Sequence, residues 1–108
     1  MDMLMITKDK FEEQVRNNAK PVLMVFGAPW CGYCKRLKPA IGQLAGEIGE
    51  KIVIGGIDID QEPELATQFS VETVPTLILM QNGVASEQLI NPPSKAQMKE
   101  WLQGKGVI

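Results

Sequence analysis

The sequence of 108 residues contains no histidine, and only 6% of it is aromatic. Absence of imidazole excludes Ser-His-Asp and Cys-His catalysis, and with them any histidine-held zinc or haem. Neither sign of charge dominates: 11 basic side chains stand against 13 acidic ones, a formal net charge of -2. Phosphate recognition needs clustered Lys and Arg. The nearest cluster, Lys35, Arg36 and Lys38, reads as the solvated face of one helix, so nucleic acid is not expected as a partner. Long apolar runs are also missing. The longest, Val22 to Phe26, has five residues, against about 18 for a bilayer span, so no membrane segment is expected. The stretch Met1-Asp2-Met3-Leu4-Met5-Ile6 has no basic region and gives way to Thr7-Lys8-Asp9, which does not read as a secretory signal and points to the cytoplasm. Cysteine is scarce, with two residues. A chain of this size buries roughly two thirds of its unfolded surface without staples, so both cysteines are free for chemistry.

What is present is an ordinary soluble composition, 44% apolar and 22% charged, with no repeat, linker or low-complexity stretch; residues 1–108 read as one domain. Pro and Gly punctuate it into short elements. Met3 to Ile6 suits a short strand, and Thr7 suits the cap of a helix over Lys8 to Asn17, with Phe11 and Val15 at i, i+4. Val22 to Phe26 is apolar without alternation, as in a central strand covered on both faces. A helix follows from near Cys31 to about Ile48, with Leu37, Ile41, Leu44 and Ile48 on one stripe and Pro39 inside it. Lys51 to Ile59 reads as a strand, Glu62 to Phe69 as a short helix and Thr76 to Met80 as another buried strand. Asn82-Gly83 tolerates positive φ at both residues and predicts a hairpin pairing Val84 to Leu89 with the strand before it. Ser94 with Gln97 caps a last helix carrying Met98, Trp101 and Leu102. Strands alternating with helices give an α/β fold: a central, mixed, mostly parallel sheet with helices on both faces.

Cys31-Gly32-Tyr33-Cys34 falls at a strand-to-helix junction, so its sulfurs lie one turn apart and within reach of each other. Unpaired backbone N–H groups and the helix dipole at that end favour a thiolate at Cys31. Lowering a thiol pKa from about 8.5 to about 7 raises the thiolate fraction at neutral pH about 16-fold. Falling intrinsic nucleophilicity takes back all but about 3-fold of this. The larger gain is intramolecular: Cys31 attacks a disulfide, and Cys34 resolves the mixed disulfide at high effective molarity. Other uses of the pair remain open. A structural disulfide across so short a loop contributes only about 2 kcal/mol. Zinc needs two further ligands from a chain without other Cys or any His. An iron-sulfur cluster bridging two chains is a third reading.

Ala28-Pro29-Trp30-Cys31-Gly32-Tyr33-Cys34-Lys35, with Pro39, Asp58-Ile59-Asp60, Val74-Pro75-Thr76 and Asn82-Gly83, resembles the thioredoxin family over nearly the whole chain. The resemblance implies a thioredoxin fold. It also implies a protein-disulfide reductase with Cys31 and Cys34 catalytic and a substrate site formed by Trp30, Gly32, Tyr33, Val74 and Pro75, the Val74-Pro75 bond being cis. It implies no cofactor beyond the Cys31–Cys34 disulfide. The implied partners are disulfide-containing proteins and an NADPH- or ferredoxin-linked thioredoxin reductase, met by a monomer. Four positions depart from the family pattern. Val25 and Gly56 stand where a buried acid and its lysine are usual, which predicts a more acidic and more oxidising pair. Tyr33 replaces the usual Pro, as in disulfide isomerases, and Asn91 replaces a Gly beside the substrate groove, which predicts restricted partners and slow recycling by a generic reductase. A disulfide isomerase or oxidase is therefore the alternative function, and a redox-silent or iron-sulfur-bridged binding module is a further one.

Overall fold

The structure is a computed structural model describing residues 3–108; Met1 and Asp2, which open the N-terminal segment read above, lie outside the described residues. Six strands form one sheet. They are β1 (Leu4–Met5), β2 (Val22–Gly27), β3 (Val53–Asp58), β4 (Thr76–Gln81), β5 (Val84–Ala85) and β6 (Leu89–Ile90). Three α-helices accompany them: α1 (Gly32–Ile48), α2 (Pro63–Gln68) and α3 (Lys95–Gly104). The strand order is β1-β3-β2-β4-β5, with β6 also pairing with β4.

Alternation along the central strands builds two cores. Leu23 and Val25 of β2, with Leu77 and Leu79 of β4, pack under Leu37, Ile41 and Leu44 of α1 and Met98 and Leu102 of α3. Val22, Met24 and Phe26, with Ile78 and Met80, face the other way, onto Phe11, Val15 and Leu65. A strand buried on both faces has no polar alternation to show, which is why β2 and β4 read as continuous apolar runs. Gly55 of β3 has no room for a side chain, since a Cβ there would stand 2.5 Å from Ile6 Cδ1.

The expected mixed sheet flanked by helices is what the chain forms, with one refinement. Parallel pairing covers β1–β3 and β3–β2, whereas β4 runs antiparallel to β2, Thr76 facing Phe26 and Met80 facing Val22. After the connection 59–75, which contains α2, the chain enters β4 at the end of the sheet where β3 left it.

The segment after Thr7 departs from the expected helix over Lys8 to Asn17. Two turns, Lys10 N–H to the Thr7 carbonyl and Phe11 N–H to the Lys8 carbonyl, lead into a π-helical stretch, Glu12–Arg16. The Thr7 hydroxyl caps nothing; the Thr7 N–H instead donates to Gln14 Oε1 at 3.1 Å. Both expected core residues are nonetheless buried, Phe11 against the Phe69 ring at 5.7 Å between centroids and Val15 in the same cluster. The hairpin is also divided into two pieces, β5 and β6: at Ser86 the N–H still donates to the Leu79 carbonyl at 2.8 Å, but the Leu79 N–H donates to the Ser86 hydroxyl at 2.9 Å. The turn itself is as predicted, with Asn82 at φ 51° and Gly83 at φ 78°.

Candidate active site

β2 delivers the chain to the loop Ala28–Trp30, and α1 begins immediately after Cys31. Cys31 is the N-cap of that helix, with extended backbone, and its Sγ accepts the Cys34 N–H at 3.1 Å. A side-chain acceptor at this position satisfies one of the helix's free N–H groups, here with sulfur instead of the usual oxygen. Cys31 and Cys34 are joined as a disulfide, their Cα atoms 5.3 Å apart. Cys31 is only 7% exposed, while Cys34 is half-buried.

The other predicted site residues gather at the same end of the sheet. Val74-Pro75 is a cis peptide, and the Val74 carbonyl oxygen lies 3.7 Å from Cys31 Sγ. Pro75 in turn accepts the Asn91 N–H at 3.0 Å, which ties the loop before α3 to the loop before β4. Tyr33 is anchored, its hydroxyl donating to the Pro92 carbonyl at 3.0 Å and its ring lying under Arg36. Trp30 is 67% exposed and its Nε1 donates to Asp60 Oδ1 at 3.3 Å. A flat apolar surface is thus held beside the disulfide. Gly32 is open, with nothing within 4 Å of where a Cβ would stand. Trp101 lies elsewhere, half-buried on α3 against the core, with Lys105 over its ring.

Register accounts for Val25 and Gly56: they are partners in the β2–β3 ladder, so a buried acid and a lysine at these positions would face each other. Here Val25 is 7% exposed, and Met3 and Met5 lie over Gly56, Met3 Cε standing 3.3 Å from where its Cβ would be. An apolar patch replaces the ion pair. Beside it lies a cavity of about 260 Å³ running from Met3 and Met5 past Gly27 to Cys34, with Lys35, Lys38 and Asp58 on its walls. Gly27 is the neighbour of Cys34, since a Cβ there would touch Cys34 Sγ at 3.5 Å. The methionines did not stand out in the sequence, whereas Gly27 opens the stretch Gly27 to Cys34 beyond a strand end, where folds of this kind place their sites. No group of three or more Cys, Asp or Glu is arranged to hold a metal ion among the described residues.

Comparison with known proteins agrees with this geometry. The Thioredoxin family model matches residues 2–104. A thioredoxin of Acidithiobacillus ferridurans is 32% identical over 103 residues, covering 95% of each chain. A thioredoxin of Buchnera aphidicola is 34% identical over 97 residues, 90% of each. A bifunctional thioredoxin reductase/thioredoxin of Mycobacterium leprae is 34% identical over 93 residues, 86% of this chain and 20% of that protein. With two bridged cysteines at the mouth of a helix and relatives matched over nearly its whole length, the chain belongs to the thioredoxin family of thiol-disulfide oxidoreductases.

Proposed function

We propose that the protein acts as a reductase of protein disulfides, with Cys31 attacking and Cys34 resolving. The observation that carries this reading is the double placement of Cys31 Sγ. It caps α1 through the Cys34 N–H, and it lies 3.7 Å from the Val74 carbonyl, where an extended substrate segment can pair. The helix end, not exposed area, singles out Cys31, because the backbone N–H groups there stabilise a thiolate. Its thiolate attacks a substrate disulfide, one substrate sulfur leaves with the electron pair, and a mixed disulfide remains. Cys34 then attacks Cys31 Sγ and the second substrate sulfur leaves. Two thiols of this chain are oxidised and one substrate disulfide is reduced. Trp30, Gly32, Tyr33, Val74 and Pro75 shape the surface that receives the substrate.

The electron donor in this reading is a thioredoxin reductase, which the bifunctional thioredoxin reductase/thioredoxin of Mycobacterium leprae supports. A cytoplasmic monomer of one domain fits a six-stranded sheet in which no described helix is long and apolar enough to cross a membrane. Two measurements test the proposal. Cys34→Ser accumulates mixed disulfide with a protein substrate, whereas Cys31→Ser does not; the reverse pattern exchanges the two roles. Equilibration with thiol-disulfide buffers places the pair near -270 mV, the reference value for thioredoxin, if it is a reductase, whereas a value above about -200 mV assigns it to oxidation or isomerisation. The apolar Val25–Gly56 pair favours that second reading, since no buried carboxylate repels a thiolate there.

A further inference from the structure

Resolution requires the Cys34 thiol to lose its proton, and Cys34 lies on the wall of a cavity and is only half-exposed. What lines that cavity therefore decides where the proton goes. From β1 come Met5 and, just before it, Met3; from β2, Val25, Phe26 and Gly27; and from the loop before β4, Pro75; none of them ionises. The charged walls are Lys35 and Lys38 on α1 and Asp58 at the end of β3. Asp58 is the single carboxylate among them.

Register aims it. Asp58 and Gly27 are partners in the parallel β2–β3 ladder, and partners project from the same face of a sheet. The Cβ direction of Gly27 leads to Cys34 Sγ, 3.5 Å away, and Gly27 has no side chain to occupy that line. The neighbouring pair on this face, Val25 and Gly56, is also small. Asp58 Oδ1 accepts the Asp60 N–H at 2.9 Å, while Asp60 holds the Trp30 indole, so the carboxylate is fixed in place. A cavity of about 260 Å³ takes several waters, each needing about 30 Å³ and polar partners. Asp58, Lys35 and Lys38 provide polar partners on its walls.

We propose that Asp58 is the proton acceptor for Cys34 in the resolving step, acting through water in this cavity. The inference rests on the assignment of Cys34 as the resolving thiol. As the Cys34 sulfur bonds to Cys31 Sγ, its proton passes to water and Asp58. The bond from Cys31 to the substrate sulfur breaks, the electron pair leaves with that sulfur, and the proton is returned to the departing thiolate or to solvent. No reagent beyond the dithiol and the substrate disulfide is consumed. Lys35 and Lys38 bring two cations to the walls of the same cavity.

The test uses the reduced full chain and dithiobis(nitrobenzoate), whose coloured thiolate leaves once in the attack of Cys31 and once in resolution by Cys34. Asp58→Asn is the informative variant, because its Oδ1 still accepts the Asp60 N–H while the proton acceptor is gone. Across about pH 5 to pH 9 the first phase stays within about 2-fold of the parent, the second slows by about 10-fold or more, and its rate then climbs with hydroxide. Asp58→Glu restores part of the second phase. A second phase equal to the parent's at every pH overturns the proposal, as does equal slowing of both phases, which would give Asp58 a purely structural role. A parent that releases one thiolate and never the second overturns the assignment of Cys34, and the role of Asp58 with it.

Discussion

Val25 and Gly56 are two residues whose meaning lies in their adjacency. Placed side by side in the β2–β3 ladder and covered by Met3 and Met5, they leave Cys34 beside hydrocarbon and thioether where a carboxylate is usual in the family. A carboxylate at position 25 alone would be buried, at a site 7% exposed, without a counter-ion. Val25→Asp is therefore expected to cost about 3–5 kcal/mol in denaturant titration. It should also raise the thiol pKa values and make the potential more negative. Adding Gly56→Lys supplies the missing cation on the neighbouring strand at the cost of moving Met3, and the double variant should recover at least half of the loss. An unchanged potential in the single variant would count against the idea that this apolar pair tunes the disulfide. Gly83 gives a second residue-scale expectation. It sits at φ 78° with nothing within 4 Å of a built Cβ, so Gly83→Ala carries a purely conformational cost of about 1–2 kcal/mol, readable as a shift in thermal midpoint.

Helix α1 carries both cysteines at one end and is fastened to α3 at the other. Near its C-terminus Glu47 accepts hydrogen bonds from Lys95 at 2.5 Å and Lys99 at 2.7 Å. The Lys95 bond first, then that of Lys99, lowers the carboxyl pKa from 4.5 to about 2. A carboxylate depressed in the folded state stabilises it above the unfolded pKa and loses that contribution as pH falls through the folded one. The denaturation midpoint of Glu47→Gln should thus fall below the parent's at neutral pH and converge with it between about pH 4.5 and pH 2, with added salt narrowing the gap. Loss of the gap at neutral pH would show that the clasp contributes nothing. At this scale the sequence was most legible. The α1 stripe, the Ser94 cap, the Asn82-Gly83 turn and the apolar runs of β2 and β4 are all local patterns, and each formed where periodicity placed it. The antiparallel entry of β4 and the cavity beside Cys34 were not legible. They depend on the pairing of β2 with β4 and on the register of Gly27 against Asp58, which join residues distant in the chain.

For the whole molecule, the disulfide contributes little to holding the fold. It closes a loop of sequence separation 3, worth about 2 kcal/mol at most in the chain-entropy model. The two cores flanking the sheet carry the stability instead. The reduced protein should keep a radius of gyration near 12.5 Å in solution scattering and lose only about 1 M in its urea midpoint. Unfolding on reduction would contradict this division between redox centre and scaffold. The same independence leaves another sulfur chemistry at the sheet's edge. β1 is the edge strand beyond β3, joined to it by two ladder pairs, and Met5 is 55% exposed whereas Cys31 is 7% exposed. Peroxide reaching this corner meets a thioether in the open. Methionine sulfoxide there makes the thioether cover of Gly56 polar, on a wall of the cavity that Cys34 also lines. Oxidation of methionine at this edge is thus a chemistry separate from the disulfide that carries the redox function.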